Sequence, residues 1–178
     1  VSKMLNEKMA LDAAARVKEK YGSSDYAYMF VRFGNVLGSR GSIFPLFVEQ
    51  VKKGGPVTVT SPDMMRFFMT IPEACSLVLQ TGGVGINGQS YLLDMGEPVN
   101  ILETARQLIR YMGYEPEKDI PIEIIGVRPG ERLEEPLTSE TEYTEPTEYP
   151  KILRLQNREE YDRDTLGKLL AALQPVCC

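Results

Sequence analysis

The chain has 178 residues, no histidine, three cysteines and a formal net charge of −5. The missing imidazole removes Ser-His-Asp and Cys-His nucleophile systems and His-bearing zinc sites, and the acidic balance without a basic run argues against nucleic acid, whose phosphates demand excess Lys and Arg. An apolar share of 43% with 25% charged residues is ordinary for a soluble globular chain.

Residues 3–20 place Leu5, Met9, Leu11, Ala13, Ala14 and Val17 at helical spacing among Lys, Glu and Arg, and Tyr21-Gly22 supplies a stop. Ser23 to Asp25 turn the chain into an apolar run, Tyr28 to Phe33, that suits a strand buried on both faces. Gly34, Gly38 and Gly41 break that run before an apolar helix over Ser42 to Lys53, ended by Gly54-Gly55-Pro56. This order puts the glycine-rich loop beyond the carboxyl end of a strand, where open α/β sheets hold ligands. Asn35, Ser39, Arg40 and Ser42, with free helix N–H groups near Ser42 and Ile43, suit an anion such as a diphosphate. A connection that merely turns the chain accounts for the glycines equally well.

A short strand over Pro56 to Thr60 leads to Ser61–Phe68, where Arg66 stands among Met and Phe. It is either a surface arginine whose stem lies along apolar neighbours or a cation kept for an anion. Thr70 and Glu73 form a capping box for a helix to about Thr81. Gly83-Val84-Gly85-Ile86-Asn87-Gly88 spells a dinucleotide fingerprint in the wrong context, after a helix and before the strand Ser90 to Leu93. Asn100 and Glu103 cap a helix over Ile101 to Met112, stopped by Gly113. Tyr114 and Lys118 have Tyr-x-x-x-Lys spacing, but Pro116 keeps them off one helix face.

A strand over Ile120 to Ile125 precedes Arg128-Pro129-Gly130-Glu131, where Pro-Gly explains a turn but does not require the charges beside it. Leu133 to Tyr149, rich in Glu, Thr and Pro, reads as extended or mobile. Pro150 to Leu155 reads as a strand, and Asp162 to Leu173 as a closing helix with Leu166, Leu169, Leu170 and Leu173 on one stripe. Cys75, Cys177 and Cys178 make neither a disulfide framework nor a metal-ligand spacing, so no metal site is expected and a reducing cytoplasm fits. No apolar run nears the roughly 20 residues of a membrane span.

Four segments in order, Val31–Ser42, Pro62–Ala74, Leu93–Val99 and Arg128–Glu131, resemble the extended short-chain dehydrogenase/reductases that act on nucleotide sugars. The resemblance is strongest to the inverting UDP-N-acetylglucosamine 4,6-dehydratases of capsule and lipopolysaccharide biosynthesis. It implies an α/β fold: the C-terminal part of a Rossmann-like doubly wound sheet interleaved with a small α/β nucleotide-sugar-binding subdomain. About 1–54 and 70–96 would lie on the Rossmann side, about 55–69 and 97–155 would bind substrate, and 156–178 would form a closing helix and tail.

Val1–Lys8 resembles the helix that bears the family's catalytic lysine, so Lys3 is the match, and the glycine fingerprint and the acid and base of that family would lie before Val1. The same carry-over gives Lys3, Gly34 and Asn35 contact with the cofactor, NAD or NADP. It gives Asn35, Ser39, Arg40 and Ser42 contact with the diphosphate or sugar, Arg66 and Arg128 contact with the phosphates, and Glu131 an approach to the ribose. In that family the cofactor takes a hydride from C4 of the sugar, water leaves across C5 and C6, and the hydride returns to C6. The isolated chain is then expected to bind a UDP-sugar without turning it over. A nucleotide-sugar 4-epimerase of the same fold and a non-catalytic sugar-nucleotide-binding or interaction domain are the alternatives. An uncovered edge on the strand Tyr28 to Phe33 would favour a homo-oligomer or pairing with a missing N-terminal half. Location is expected to be cytoplasmic, with any membrane anchor in an absent N-terminal region.

Overall fold

Helices and short strands alternate along the chain: α1 (Ser2–Tyr21), β1 (Phe30–Arg32), β2 (Asn35–Val36), α2 (Ile43–Lys52), β3 (Val57–Val59), β4 (Met65–Arg66), β5 (Phe68–Met69), α3 (Ile71–Val84), β6 (Ser90–Leu93), β7 (Val99–Asn100), α4 (Ile101–Tyr111), β8 (Ile122–Ile124), β9 (Glu142–Pro146), β10 (Ile152–Asn157) and α5 (Arg163–Cys177). The computed structural model describes residues 2–22, 26–157 and 162–177, so the readings for Val1, Ser23 to Asp25 and Cys178 lie outside the described residues. Two units make up the chain, one of residues 1–32, 77–93 and 138–178 and one of 33–76 and 94–137. The glycine-rich loop and α2, expected with the Rossmann-side elements, fall in the second unit, and β9 and β10, expected with the substrate elements, fall in the first.

The first unit is built on a four-stranded sheet of order β1-β6-β10-β9. β1 runs parallel to β6, with Phe30 opposite Ser90 and Arg32 opposite Leu92, while β10 is antiparallel to both of its neighbours. Tyr91, Leu92 and Leu93 of the inner strand β6 are buried with Ile152 and Leu155 of β10, Ala14 of α1 and Leu166 of α5. Two results differ from the sequence reading. β1 is three residues long and half-buried, not fully buried, and among the described residues it is an edge strand with one hydrogen-bonded neighbour, β6. And the Glu-, Thr- and Pro-rich stretch contains β9, paired with β10 from Glu142 opposite Asn157 to Pro146 opposite Leu153. Its turn is fixed by Thr147, whose Oγ1 donates to the Ile152 carbonyl at 2.6 Å and accepts from Tyr149 N at 3.1 Å.

The second unit packs α2 and α4 around the parallel pair β3–β8, in which Val57 lies opposite Ile122 and Val59 opposite Ile124. Phe47, Val51, Val57, Val59, Ile101, Ala105, Ile109 and Ile120 form its core. Each fully buried aliphatic side chain contributes roughly 1.5–3 kcal/mol relative to exposure. α4 buries Ile101, Thr104, Ala105 and Ile109, one stripe at helical spacing. Its first turn is capped by Asn100, whose Oδ1 accepts from Glu103 N at 2.9 Å, as the Asn-x-x-Glu pattern predicts. Two further ladders complete the unit: β2–β5 parallel and β4–β7 antiparallel. Among the described residues, no helix is long and apolar enough to cross a membrane and no His, Cys, Asp and Glu cluster could hold a metal ion.

Candidate functional site

The glycine-rich loop starts against β5. Asn35 N donates to the Phe67 carbonyl at 2.9 Å and Leu37 N to the Met69 carbonyl at 2.8 Å. This approach explains Gly34: a Cβ there would stand 2.9 Å from Phe67 Cβ and 3.0 Å from the Phe67 carbonyl oxygen. The space that the glycine leaves is therefore filled by the chain itself. Two β-turns follow, closed by Ser39 N to the Val36 carbonyl at 3.3 Å and Ser42 N to the Ser39 carbonyl at 3.0 Å. Gly38 and Gly41 occupy the third position of each turn with φ of +73° and +77°, the left-handed geometry that a type II turn requires.

These turns divide the loop's polar groups. Ser39 Oγ is engaged, donating to the Val36 carbonyl at 2.9 Å. Ser42 is the N-cap of α2 in extended conformation but makes no side-chain cap bond, and its Oγ is buried without a hydrogen-bond partner. Arg40, at the second position of the second turn, is exposed. A helix N-terminus with its N–H groups uncapped, an orphan hydroxyl and a cation one turn away together favour an anion.

Arg66 is placed otherwise. It is 7% exposed, and its guanidinium donates to three carbonyls: Met65 at 2.7 Å, Leu133 at 2.8 Å and Arg132 at 2.8 Å. Glu135 stands 3.7 Å from Nε. The counterpart that an arginine among Met and Phe demands is thus backbone of the same chain.

Arg128-Pro129-Gly130-Glu131 is a turn with Glu131 N bonded to the Arg128 carbonyl at 3.0 Å and Gly130 at φ +85°, the type II arrangement of Pro and Gly. The Glu131 carboxylate folds back on it, accepting from Arg128 N at 3.3 Å and from Thr60 Oγ1 at 3.4 Å. Arg128 is exposed. Among the described residues, the arginines with no carboxylate partner are Arg40, Arg128 and Arg132, and all three are exposed in loops of the second unit. Arg132 was not singled out by the sequence; its signal is its place directly after the Arg128–Glu131 turn.

Lys3 lies exposed near the start of α1 in the first unit. One turn on, Glu7 meets Arg32 of β1, with Nε to Oε1 at 3.1 Å and Nη2 to Oε2 at 2.8 Å. Arg32 also binds Glu142, with Nη1 to Oε2 at 2.9 Å and Nη2 to Oε1 at 3.1 Å. Burial by itself would lower the Arg32 guanidinium and raise the Glu142 carboxyl, but their mutual hydrogen bonds reverse both: Arg32 is held above its ordinary range and Glu142 below it. An arginine within the apolar run Phe-Val-Arg-Phe was the available sign of such partners.

The sequence profile of the family described as polysaccharide biosynthesis protein matches residues 1–157. The capsular polysaccharide biosynthesis protein CapD of Staphylococcus aureus is 48% identical over 158 residues, which are 85% of this chain and 26% of that protein. A UDP-glucose 4-epimerase of Rickettsia rickettsii is 34% identical over 142 residues, 80% of this chain and 39% of that one. This chain therefore spans well under half the length of these relatives. The solved structure of Pen from Bacillus thuringiensis superposes with a TM-score of 0.65 at 26% identity, covering 90% of this chain and 54% of that one. A dTDP-glucose 4,6-dehydratase from Bacillus anthracis, solved with NAD, shares the fold at a TM-score of 0.52 and 20% identity over 65% of this chain and 37% of that one. The chain belongs to the polysaccharide biosynthesis family of extended short-chain dehydrogenase/reductases.

Proposed function

We propose that this chain is the nucleotide-sugar-binding part of a 4,6-dehydratase that acts on UDP-N-acetylglucosamine in polysaccharide biosynthesis, and that it is inactive alone. The observation that carries the reading is the set of exposed, carboxylate-free arginines in one unit, Arg40 and Arg128 above all. A pyrophosphate with about two negative charges would meet them through charge-assisted hydrogen bonds worth roughly 1.5–3 kcal/mol each. Ser42 Oγ, buried without a partner, supplies a further donor at the start of α2, and Asn35 presents its amide from the same loop. Glu131 holds the Arg128 turn closed and is the carboxylate nearest the ribose in this reading. Ser39, whose hydroxyl is spent within its turn, contributes shape.

A nicotinamide cofactor, NAD or NADP, would supply the hydride transfer when bound. Lys3, exposed on α1, is the residue of this chain suited to hold its ribose. Gly34 serves the close approach of Phe67 and leaves cofactor contact to Lys3 and Asn35. In this reading the open edge of β1 takes a strand from the rest of the protein or from a second copy, and the protein works in the cytoplasm.

The 34% identity to a UDP-glucose 4-epimerase supports a second reading, epimerisation at C4 on the same fold. Mass spectrometry of the product made from UDP-N-acetylglucosamine by the longer protein that contains this chain separates the two. Dehydration gives a keto product lighter by one water; an isomer of unchanged mass would overturn the dehydratase reading. Any turnover by this chain alone would overturn its inactivity.

A further inference from the structure

Lys3 and Glu7 stand one helical turn apart on α1 and so share a face. Glu7 is a point at which that face is tied down. Both of its carboxylate oxygens accept from Arg32, the last residue of β1, at 3.1 Å from Nε and 2.8 Å from Nη2. The other edge of the same guanidinium meets both oxygens of Glu142, the first residue of β9, at 2.9 and 3.1 Å. The side chains of Arg32 and Glu7 are 23% exposed and that of Glu142 is 11% exposed, so these pairs are sheltered from the screening that weakens surface ion pairs.

The rest of α1 has ties of its own. Arg163 of α5 meets Asp12 and Glu19, and the Ala14 carbonyl accepts from Asn87 Nδ2 at 3.0 Å. These hold the middle and end of the helix, about two and a half turns or more beyond Lys3. A planar guanidinium on both oxygens of a carboxylate fixes orientation as well as distance. All of these residues belong to the first unit.

We infer that Arg32 and Glu7 are positioning residues for Lys3. Their bidentate pair fixes the first turns of α1 against the end of β1, Glu142 locks the guanidinium from the β9 side, and Lys3 is thereby held where it would meet the cofactor ribose. The cofactor role of Lys3 rests on the proposed function; the anchoring of α1 does not.

Glu7→Gln tests the anchoring cleanly, because Arg32 keeps Glu142 and no buried charge is left unpaired. Arg32→Lys is the second variant, since a point ammonium cannot span four carboxylate oxygens. In hydrogen exchange of this chain without ligand, residues 5–11 should exchange roughly tenfold faster or more in both variants, while residues 13–20 and α4 keep their protection. Unchanged exchange of 5–11 in Glu7→Gln would overturn the inference. So would equal acceleration of 13–20, which would make the pair a general support of the unit. In the longer protein that contains this chain, Glu7→Gln should lower kcat roughly ten- to hundredfold with little change in KM for the UDP-sugar. Combined with Lys3→Met it should cost nothing further, because both changes act on the same contact. Losses that multiply would mean that Glu7 does not act through Lys3 and would overturn the inference. An unchanged kcat in Lys3→Met would contradict the cofactor role given to Lys3, and the exchange arm would then decide the anchoring.

Discussion

Arg32 reaches all four carboxylate oxygens of Glu7 and Glu142 and so joins α1, β1 and β9 of the first unit. Glu142 also accepts from Ser139 N at 2.7 Å. Its carboxyl is held below its ordinary range, so its contribution to stability is present above the usual carboxylate pKa and is lost as pH falls through the lower folded value. Glu142→Gln should therefore lower stability near neutral pH by roughly 1–3 kcal/mol and make the acid-side loss shallower. Urea unfolding at a series of pH values reads both, and a variant whose stability falls with acid as steeply as the parent's would contradict the assignment. At this scale residue types are legible in the sequence and their partners are not. Arg66 stood out as a cation among Met and Phe and Arg32 was passed over inside an apolar run; Glu142 and the carbonyls of Arg132 and Leu133 lie far along the chain, and nothing local points to them.

Elements whose signals are local were legible. α4 begins where Asn-x-x-Glu places it, and α3 has Glu73 N donating to Thr70 Oγ1 at 3.3 Å. The double turn of the glycine-rich loop follows from glycine at third positions three residues apart. β9 was not legible, because Glu and Pro, which strands disfavour, mask Tyr143 and Thr144, and its pairing with β10 decides the matter. Asn100 serves two elements: Oδ1 caps α4 and Nδ2 donates to the Pro62 carbonyl at 2.8 Å, near the entry to β4. Asn100→Ala should cost about 1 kcal/mol or somewhat more, a shift in the denaturant midpoint without change in slope. An unchanged midpoint would show that neither bond contributes.

For the whole chain, the α/β class was readable from the alternation of buried runs and amphipathic helices, but the arrangement of the second unit was not. The unit holds its arginine-bearing loops on three separate two-stranded ladders, not on one continuous sheet. Ladders of two or three residues leave little periodicity in a sequence, so pairings such as Asn35 with Phe68 and Met65 with Asn100 emerge only in three dimensions. The central proposal is that the second unit binds the pyrophosphate of a nucleotide sugar through Arg40 and Arg128. Calorimetric titration of UDP into this chain and into the Arg40→Ala/Arg128→Ala variant tests it most directly. Saturable binding that weakens roughly a hundredfold or more in the folded variant is the predicted result, from the loss of two charge-assisted hydrogen bonds. Equal affinity in both proteins, or no binding by a folded parent chain, would contradict it.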